Sequence, residues 1–221
     1  AFKSAMYAAG KAGILIKGAS ALEWLAAADT FIFDKTGTLT TGLLEVTDAV
    51  TFDGHTTPED LVFLYLTSHG SHDHELSIDQ PRLQLADLPA SELAALLQPL
   101  RDRYKVVVIS ACYSGGFIPP LKDDKTLVMT AARADRVSFG CSEENDFTYF
   151  GRALFAEALN ETDDLARAFE LAKTRVAERE QADDFEPSEP QLWAPKPVLE
   201  HWKKLRRQQA EEALSAATKA Q

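Results

Sequence analysis

The chain has 221 residues, 45% of them hydrophobic, and a net charge of −11. That length and apolar content suit one packed domain, or one domain plus a fragment. The negative balance argues against nucleic acid or an anionic membrane as the main partner. Two cysteines make no disulfide framework and favour a reducing, cytoplasmic setting. Apolar runs such as "LVFLYL" and "VVVI" are too short to span a bilayer, and no signal peptide is visible in a chain that begins at Ala1.

Residues 1–29 are Ala-rich and read as two helices punctuated by Gly10, Gly13 and Gly18. "TFIF" is a short buried strand that runs into Asp34, and "LLEVTDAVTF" reads as another. "LVFLYLTSHG" is a continuous apolar run, the pattern of a strand covered on both faces of a parallel sheet. In "SELAALLQPLRDRY", Leu93, Leu96, Leu97 and Leu100 fall on one helical face. "KVVVISAC" and "KTLVMTAA" are two more buried strands. "YFGRALFAEAL" and "DDLARAFELAKTRVAERE" read as amphipathic helices, the second with a stripe of Leu165, Phe169, Ala172 and Val176. Residues 183–197 are Pro-rich and extended, and a charged helical tail runs from Leu199.

Strand, helix, strand in the middle of the chain predicts a parallel pair joined by a right-handed crossover, so the fold class is α/β. Ligands of such sheets sit beyond the carboxyl ends of the strands. His69 ends one predicted strand and Cys112 its neighbour. Adjacent parallel strands lie about 4.8 Å apart. Side chains leaving their ends can therefore meet, and a Cys/His pair is the minimum equipment for thiolate catalysis. Gly70, Gly115 and Gly116 leave room for a substrate backbone, and an amide beside the nucleophile can stabilise an oxyanion. An inert strand-end thiol and a loop histidine are the alternative.

The stretches "LVFLYLTSHGSHDH", "VVVISACYSGGF", "LVMTAARADRVSFGC" and "FTYFGRALFAEAL" together resemble the legumain-like cysteine peptidases, especially their bacterial members. The resemblance spans about residues 57–197. It implies a caspase-like parallel sheet with flanking helices, here incomplete at its N-terminal side. The family's first strand–helix–strand portion is not recognisable before residue 57. By the match His69 is the catalytic base, Cys112 the nucleophile, and the amides of Gly70 and Cys112 the oxyanion donors. Ser138 matches a pocket serine. Two positions depart: Ser110 stands where the family carries an acid two before the cysteine, and Arg152 stands at another acidic pocket position. Asn or Asp preference is therefore not implied. The expected partner is a peptide or protein substrate, with no cofactor.

"KAGILIKGASALEWLAAADTFIFDKTGTLTTG" resembles the cation-transporting P-type ATPases, most closely the heavy-metal group. By that match Asp34 would accept a phosphoryl group, with Lys35 and Thr36 beside it. Phosphoryl transfer also needs Mg²⁺ ligands and a nucleotide clamp, so ATP and Mg²⁺ enter only if this segment worked as an ATPase. The family's nucleotide domain, its later motifs and its membrane helices are not recognisable. The expected organisation is a chimera: residues 1–50 ATPase-like, 51–198 a peptidase domain, 199–221 a tail. The rival readings are a fragment of a metal-transport ATPase and a non-catalytic remnant.

Three weaker signals remain. "HGSHDH" holds His69, His72, His74 and Asp73, a spacing zinc tolerates. With no second Cys/His cluster to complete a ligand set, it reads as a polar loop and no metal is expected. "HWKKLRRQQ" reads as a solvated helix face. Cys141 could pair with Cys112, but a nucleophile should be free.

Overall fold

A computed structural model of the chain describes residues 31–32, 59–78, 86–140 and 147–219, with side chains to residue 211. The chain divides into two compact units. Residues 1–31 and 50–55 form one, which lies outside the described residues except for Phe31. The other, residues 32–49 and 56–221, holds the architecture that follows.

The described strands are β1 (Phe31–Ile32), β2 (Leu61–Thr67), β3 (Glu75–Leu76), β4 (Leu88–Pro89), β5 (Tyr104–Ser110), β6 (Thr126–Thr130) and β7 (Gln191–Trp193). Helices α1 (Ala90–Leu96) and α2 (Ile118–Leu121) follow β4 and precede β6 respectively. After β6 come α3 (Tyr149–Gly151), a π-helical stretch (Arg152–Ala158), α4 (Leu159–Glu161), α5 (Leu165–Ala182) and α6 (Lys196–Lys219). The main sheet runs β1-β2-β5-β6-β7, and β3 pairs with β4 in a small second sheet. β2, β5 and β6 are parallel, and β7 is antiparallel to β6.

The sheet is mixed, with helices on both faces. The α/β class expected from the sequence is borne out, and the parallel sheet is corrected at one edge. β7 reverses direction because the chain reaches it from α5 by an extended connection, residues 183–190, rather than by a crossover helix.

β5 is the centre of the sheet, and its alternate residues feed two cores. Val106 and Val108, with Leu127 and Met129 of β6, pack against Phe150, Leu154, Phe169, Ala172 and Val176. Val107 and Ile109, with Val128, pack against Leu93, Leu97, Leu100, Phe117 and Leu121. All five β5 residues from Val106 to Ser110 are at most 1% exposed. Each fully buried Val or Ile side chain in such a layer contributes about 1.5–3 kcal/mol.

The Leu165/Phe169/Ala172/Val176 stripe is buried as its spacing requires, each at 1% or less. The leucine face after Ser91 is helical only to Leu96 and then tightens into a 3₁₀ turn, Gln98–Leu100. Pro99 has no N–H to continue the α ladder. The tail helix begins at Lys196, three residues before the expected start. Its "HWKKLRRQQ" segment is also less solvated than expected. His201 is 6% exposed and stacks on Tyr104 at 3.9 Å. Trp202 donates to the Asp163 carbonyl, and Lys203 and Lys204 pair with Asp164 and Glu59.

Candidate active site

The β2/β5 register builds the site. Leu61 pairs with Tyr104 and each following residue with the next, ending at Thr67 opposite Ser110. The ladder gains one more bond, from the Ser68 N–H to the Ser110 carbonyl at 3.2 Å. His69 and Cys112 therefore leave the sheet at the same level, each two residues past the last pair. His69 is exposed and Cys112 half-buried.

Gly70 is pressed onto the backbone of Cys112. A Cβ at 70 would stand 2.0 Å from the Cys112 carbonyl oxygen and 3.0 Å from its carbon. Only a residue without a side chain fits. Gly70 also faces Leu76 across a turned-back hairpin. The bonds of that bridge run from Ser77 N–H to the His69 carbonyl at 2.9 Å and from Ser71 N–H to the Glu75 carbonyl at 3.0 Å. The bridge uses its neighbours' groups, not the Gly70 N–H.

Cys112 and Ser138 are brought together. The Ser138 N–H donates to Cys112 Sγ at 3.3 Å, the thiol faces the Ser138 carbonyl at 3.5 Å, and the hydroxyl lies 3.8 Å from the sulfur. Ser110 lies elsewhere: fully buried, its hydroxyl shares a 2.8 Å hydrogen bond with Thr148 Oγ1. Thr148 in turn caps α3 by accepting from the Gly151 N–H at 3.0 Å. The exposed Arg152 turns to the half-buried Glu157 at 3.1 Å, where Arg175 and Arg179 join the same carboxylate. Asp34, Lys35, Thr36 and Cys141 lie outside the described residues.

The loop bearing Ser138 is held from below. The buried Glu180 carboxylate accepts from the Ser188 N–H at 3.1 Å. The Ser188 carbonyl accepts from the Arg133 N–H at 2.8 Å, and the Arg133 side chain bridges Asp135 and Glu189. That bond from Arg133 pulls the Asp135 carboxyl down to about 2. Phe139 stacks on Phe185 at 4.3 Å, and its carbonyl accepts from the Tyr149 N–H at 3.0 Å. The Tyr149 hydroxyl donates to Asp183, and that bond, with burial second, raises the phenol above its ordinary range.

Sequence reasoning missed Thr148, Tyr113 and the Glu180–Ser188 contact. The Ser110–Thr148 bond joins residues 38 apart with no local signal. Tyr113 is left-handed, φ 56°, a conformation glycine or asparagine would have advertised. His72 and His74, read as a polar loop, are engaged with Tyr113. The His74 ring nitrogen lies 3.1 Å from its carbonyl, and the His72 ring lies 3.9 Å from the Tyr113 ring.

The model of the peptidase C13 family matches residues 47–201, and the chain belongs to that family. At family level this is a cysteine peptidase. The N-terminal part is similar to heavy-metal ATPases. A zinc-transporting ATPase of Synechocystis sp. is 46% identical over 77 residues, 34% of this chain and 11% of that protein. A cadmium, zinc and cobalt-transporting ATPase of Helicobacter pylori is 52% identical over 54 residues, 24% of this chain and 8% of that protein. The chain thus spans about a tenth of the length of the curated relatives it matches. Among solved structures, caspase-1 of Spodoptera frugiperda aligns at 16% identity over 62% of this chain and 60% of that one, with a TM-score of 0.44. Among the described residues no helix is long and apolar enough to cross a membrane.

Proposed function

We propose that the C13 part of the chain hydrolyses peptide bonds, with Cys112 as nucleophile and His69 as base. The observation that carries this is the register that ends at Thr67 opposite Ser110, from which His69 and Cys112 each follow two residues further along the chain. His69 takes the thiol proton, and the thiolate attacks the peptide carbonyl carbon. A C–S bond forms and the carbonyl oxygen becomes an oxyanion. The amides of Gly70 and Cys112 receive it; the Gly70 N–H is left over by the hairpin bridge. The C–N bond then breaks, and the protonated His69 gives its proton to the leaving amine. Water, losing a proton to His69, attacks the acyl-enzyme and restores the thiol. The chain supplies both reacting groups itself, so the reaction needs no cofactor.

Ser138, beside the sulfur, lines the pocket in this reading, and Ser110 supports it from behind through Thr148. Neither side chain carries charge. A substrate with a neutral residue before the cleaved bond therefore suits the site better than a basic one.

Fluorogenic peptides test the reaction. Turnover by the intact chain that is lost in Cys112→Ala and in His69→Ala supports it. Turnover retained in Cys112→Ala refutes it.

The similarity to metal-transporting ATPases supports a second reading, phosphorylation at Asp34. Incubation with γ-labelled ATP tests it. An acid-stable, hydroxylamine-sensitive phosphoenzyme that is lost in Asp34→Asn would favour it over the first.

A further inference from the structure

The loop after His69 folds back over the turn after Cys112, and His74 makes the contact. Its backbone is left-handed, φ 60°. Its Nδ1 lies 3.1 Å from the Tyr113 carbonyl oxygen, which can only accept, so Nδ1 carries the proton. Its ring covers Gly116 so closely that a Cβ there would stand 2.1 Å from the ring Cγ and 2.2 Å from Nδ1. His72 adds its ring against that of Tyr113, at 3.9 Å and 34°.

Tyr113 is the residue that needs holding. A bulky side chain at φ 56° is strained and persists only when its surroundings over-determine it. Its N–H donates to the Arg136 carbonyl at 2.7 Å, and its carbonyl accepts from His74. The Arg136 bond ties the turn to the loop that carries Ser138. The His74 bond ties it to the loop that carries His69. The backbone beside the Cys112 thiol is thus fixed from both sides.

We propose that His74 is a positioning residue for Cys112, acting through Tyr113: its Nδ1–H and the face of its ring lock the left-handed turn that aims the thiol. The proposal rests on the cysteine-peptidase reading for its importance in turnover, but the locking itself is independent of it. His74 touches no reacting atom. Removing it leaves Tyr113 free to relax toward ordinary backbone angles, which moves the sulfur away from its attack geometry. A displacement of about 1 Å at a reacting group costs up to 100-fold in rate.

Two readouts test this on the intact chain: kcat and KM for a fluorogenic peptide, and the rate at which iodoacetamide alkylates Cys112, followed by peptide mass mapping. His74→Ala should lower kcat roughly tenfold or more with KM within about threefold, and slow alkylation at least about fivefold. His74→Asn should recover most of both losses. Asparagine tolerates the left-handed region and places an N–H donor near the position of Nδ1. Gly116→Ala, which pushes the ring aside without deleting it, should mimic His74→Ala. The double variant should be no worse than His74→Ala, because the new methyl then enters vacated space.

Should His74→Ala not fold, Gly116→Ala and His74→Asn carry the same comparison. Loss of less than about twofold in both readouts for the destabilised variants overturns the proposal. So does equal loss in His74→Ala and His74→Asn, or additive loss in the double variant. If the wild-type chain turns over no peptide but alkylation follows the predicted pattern, the peptidase reading fails and the positioning role stands. If turnover is present and indifferent to His74, only the positioning role fails.

Discussion

The Cβ that an alanine would bring to position 70 lies 2.0 Å from the carbonyl oxygen of Cys112, so Gly70 and Cys112 can only be neighbours because one of them has no side chain. The obstructing atoms are backbone, on a turn fixed by the bonds at Tyr113, and cannot swing away as a side chain would. Gly70→Ala should therefore separate the two strand ends. The expected outcome is a loss of about 1–3 kcal/mol in urea denaturation and at least roughly a 100-fold fall in kcat/KM. Wild-type stability together with wild-type turnover in that variant would show that the two ends need not touch.

Ser110 and Thr148 share a hydroxyl pair at 2.8 Å in a place with no water access to Ser110. Thr148→Val strips Ser110 of that partner and removes the cap on Gly151 at once. The expected cost is roughly 1–3 kcal/mol. Adding Ser110→Ala deletes the orphaned group, so the double variant should lose less than the sum of the singles. Chemical denaturation of the four proteins measures the coupling, and strict additivity would contradict it.

Part of this was legible in the sequence. The β2, β5 and β6 runs and the stripe Leu165, Phe169, Ala172, Val176 follow from burial periodicity, because the physics that buries them acts within a few residues. The His69 and Cys112 positions at strand ends follow from the same runs. Four features were not legible. β7 is three residues between Pro190 and Pro195, too short to carry a period. The left-handed Tyr113 carries no glycine or asparagine signal, because distant bonds from Arg136 and His74 impose its angles. The Ser110–Thr148 pair and the Glu180–Ser188 contact join segments that only the finished fold brings together.

Asp164 ties α5 to α6. Its Oδ1 accepts from the Ala166 and Arg167 N–H groups, each at 3.1 Å, and Oδ2 pairs with Lys203 at 2.9 Å. The Lys203 hydrogen bond first, then the backbone donors, hold its carboxyl below the ordinary value. A carboxyl with a depressed folded pKa contributes stability that is present above its unfolded pKa and lost as pH falls through the folded one. Asp164→Ala should cost about 1 kcal/mol at neutral pH, and Asp164→Asn, which keeps the cap, less. The gap between wild type and Asp164→Ala should shrink below about pH 4. Denaturation curves across pH measure it, and a gap that widens on acidification would contradict the assignment.

Lys105 moves stability in the same direction, in a more alkaline window. Its ammonium is buried and donates to the Leu100 and Arg103 carbonyls at 3.0 and 2.8 Å. Burial lowers its pKa. Between the folded value and the unfolded value of about 10.4, the unfolded chain holds more protons, so stability rises with pH. Wild type should therefore gain on Lys105→Met as pH climbs through that window. A difference that stays flat there would mean the amine is solvated.

Covalent labelling of the intact chain by a peptidyl acyloxymethyl ketone, with the modified residue located by mass spectrometry, tests whether Cys112 is the reacting thiol of a peptidase site. One label is expected, on Cys112, blocked by prior iodoacetamide, strongly slowed in His69→Ala and unaffected by Asp34→Asn. A label on Cys141 that persists in Cys112→Ala, or no label on a folded chain, would contradict it.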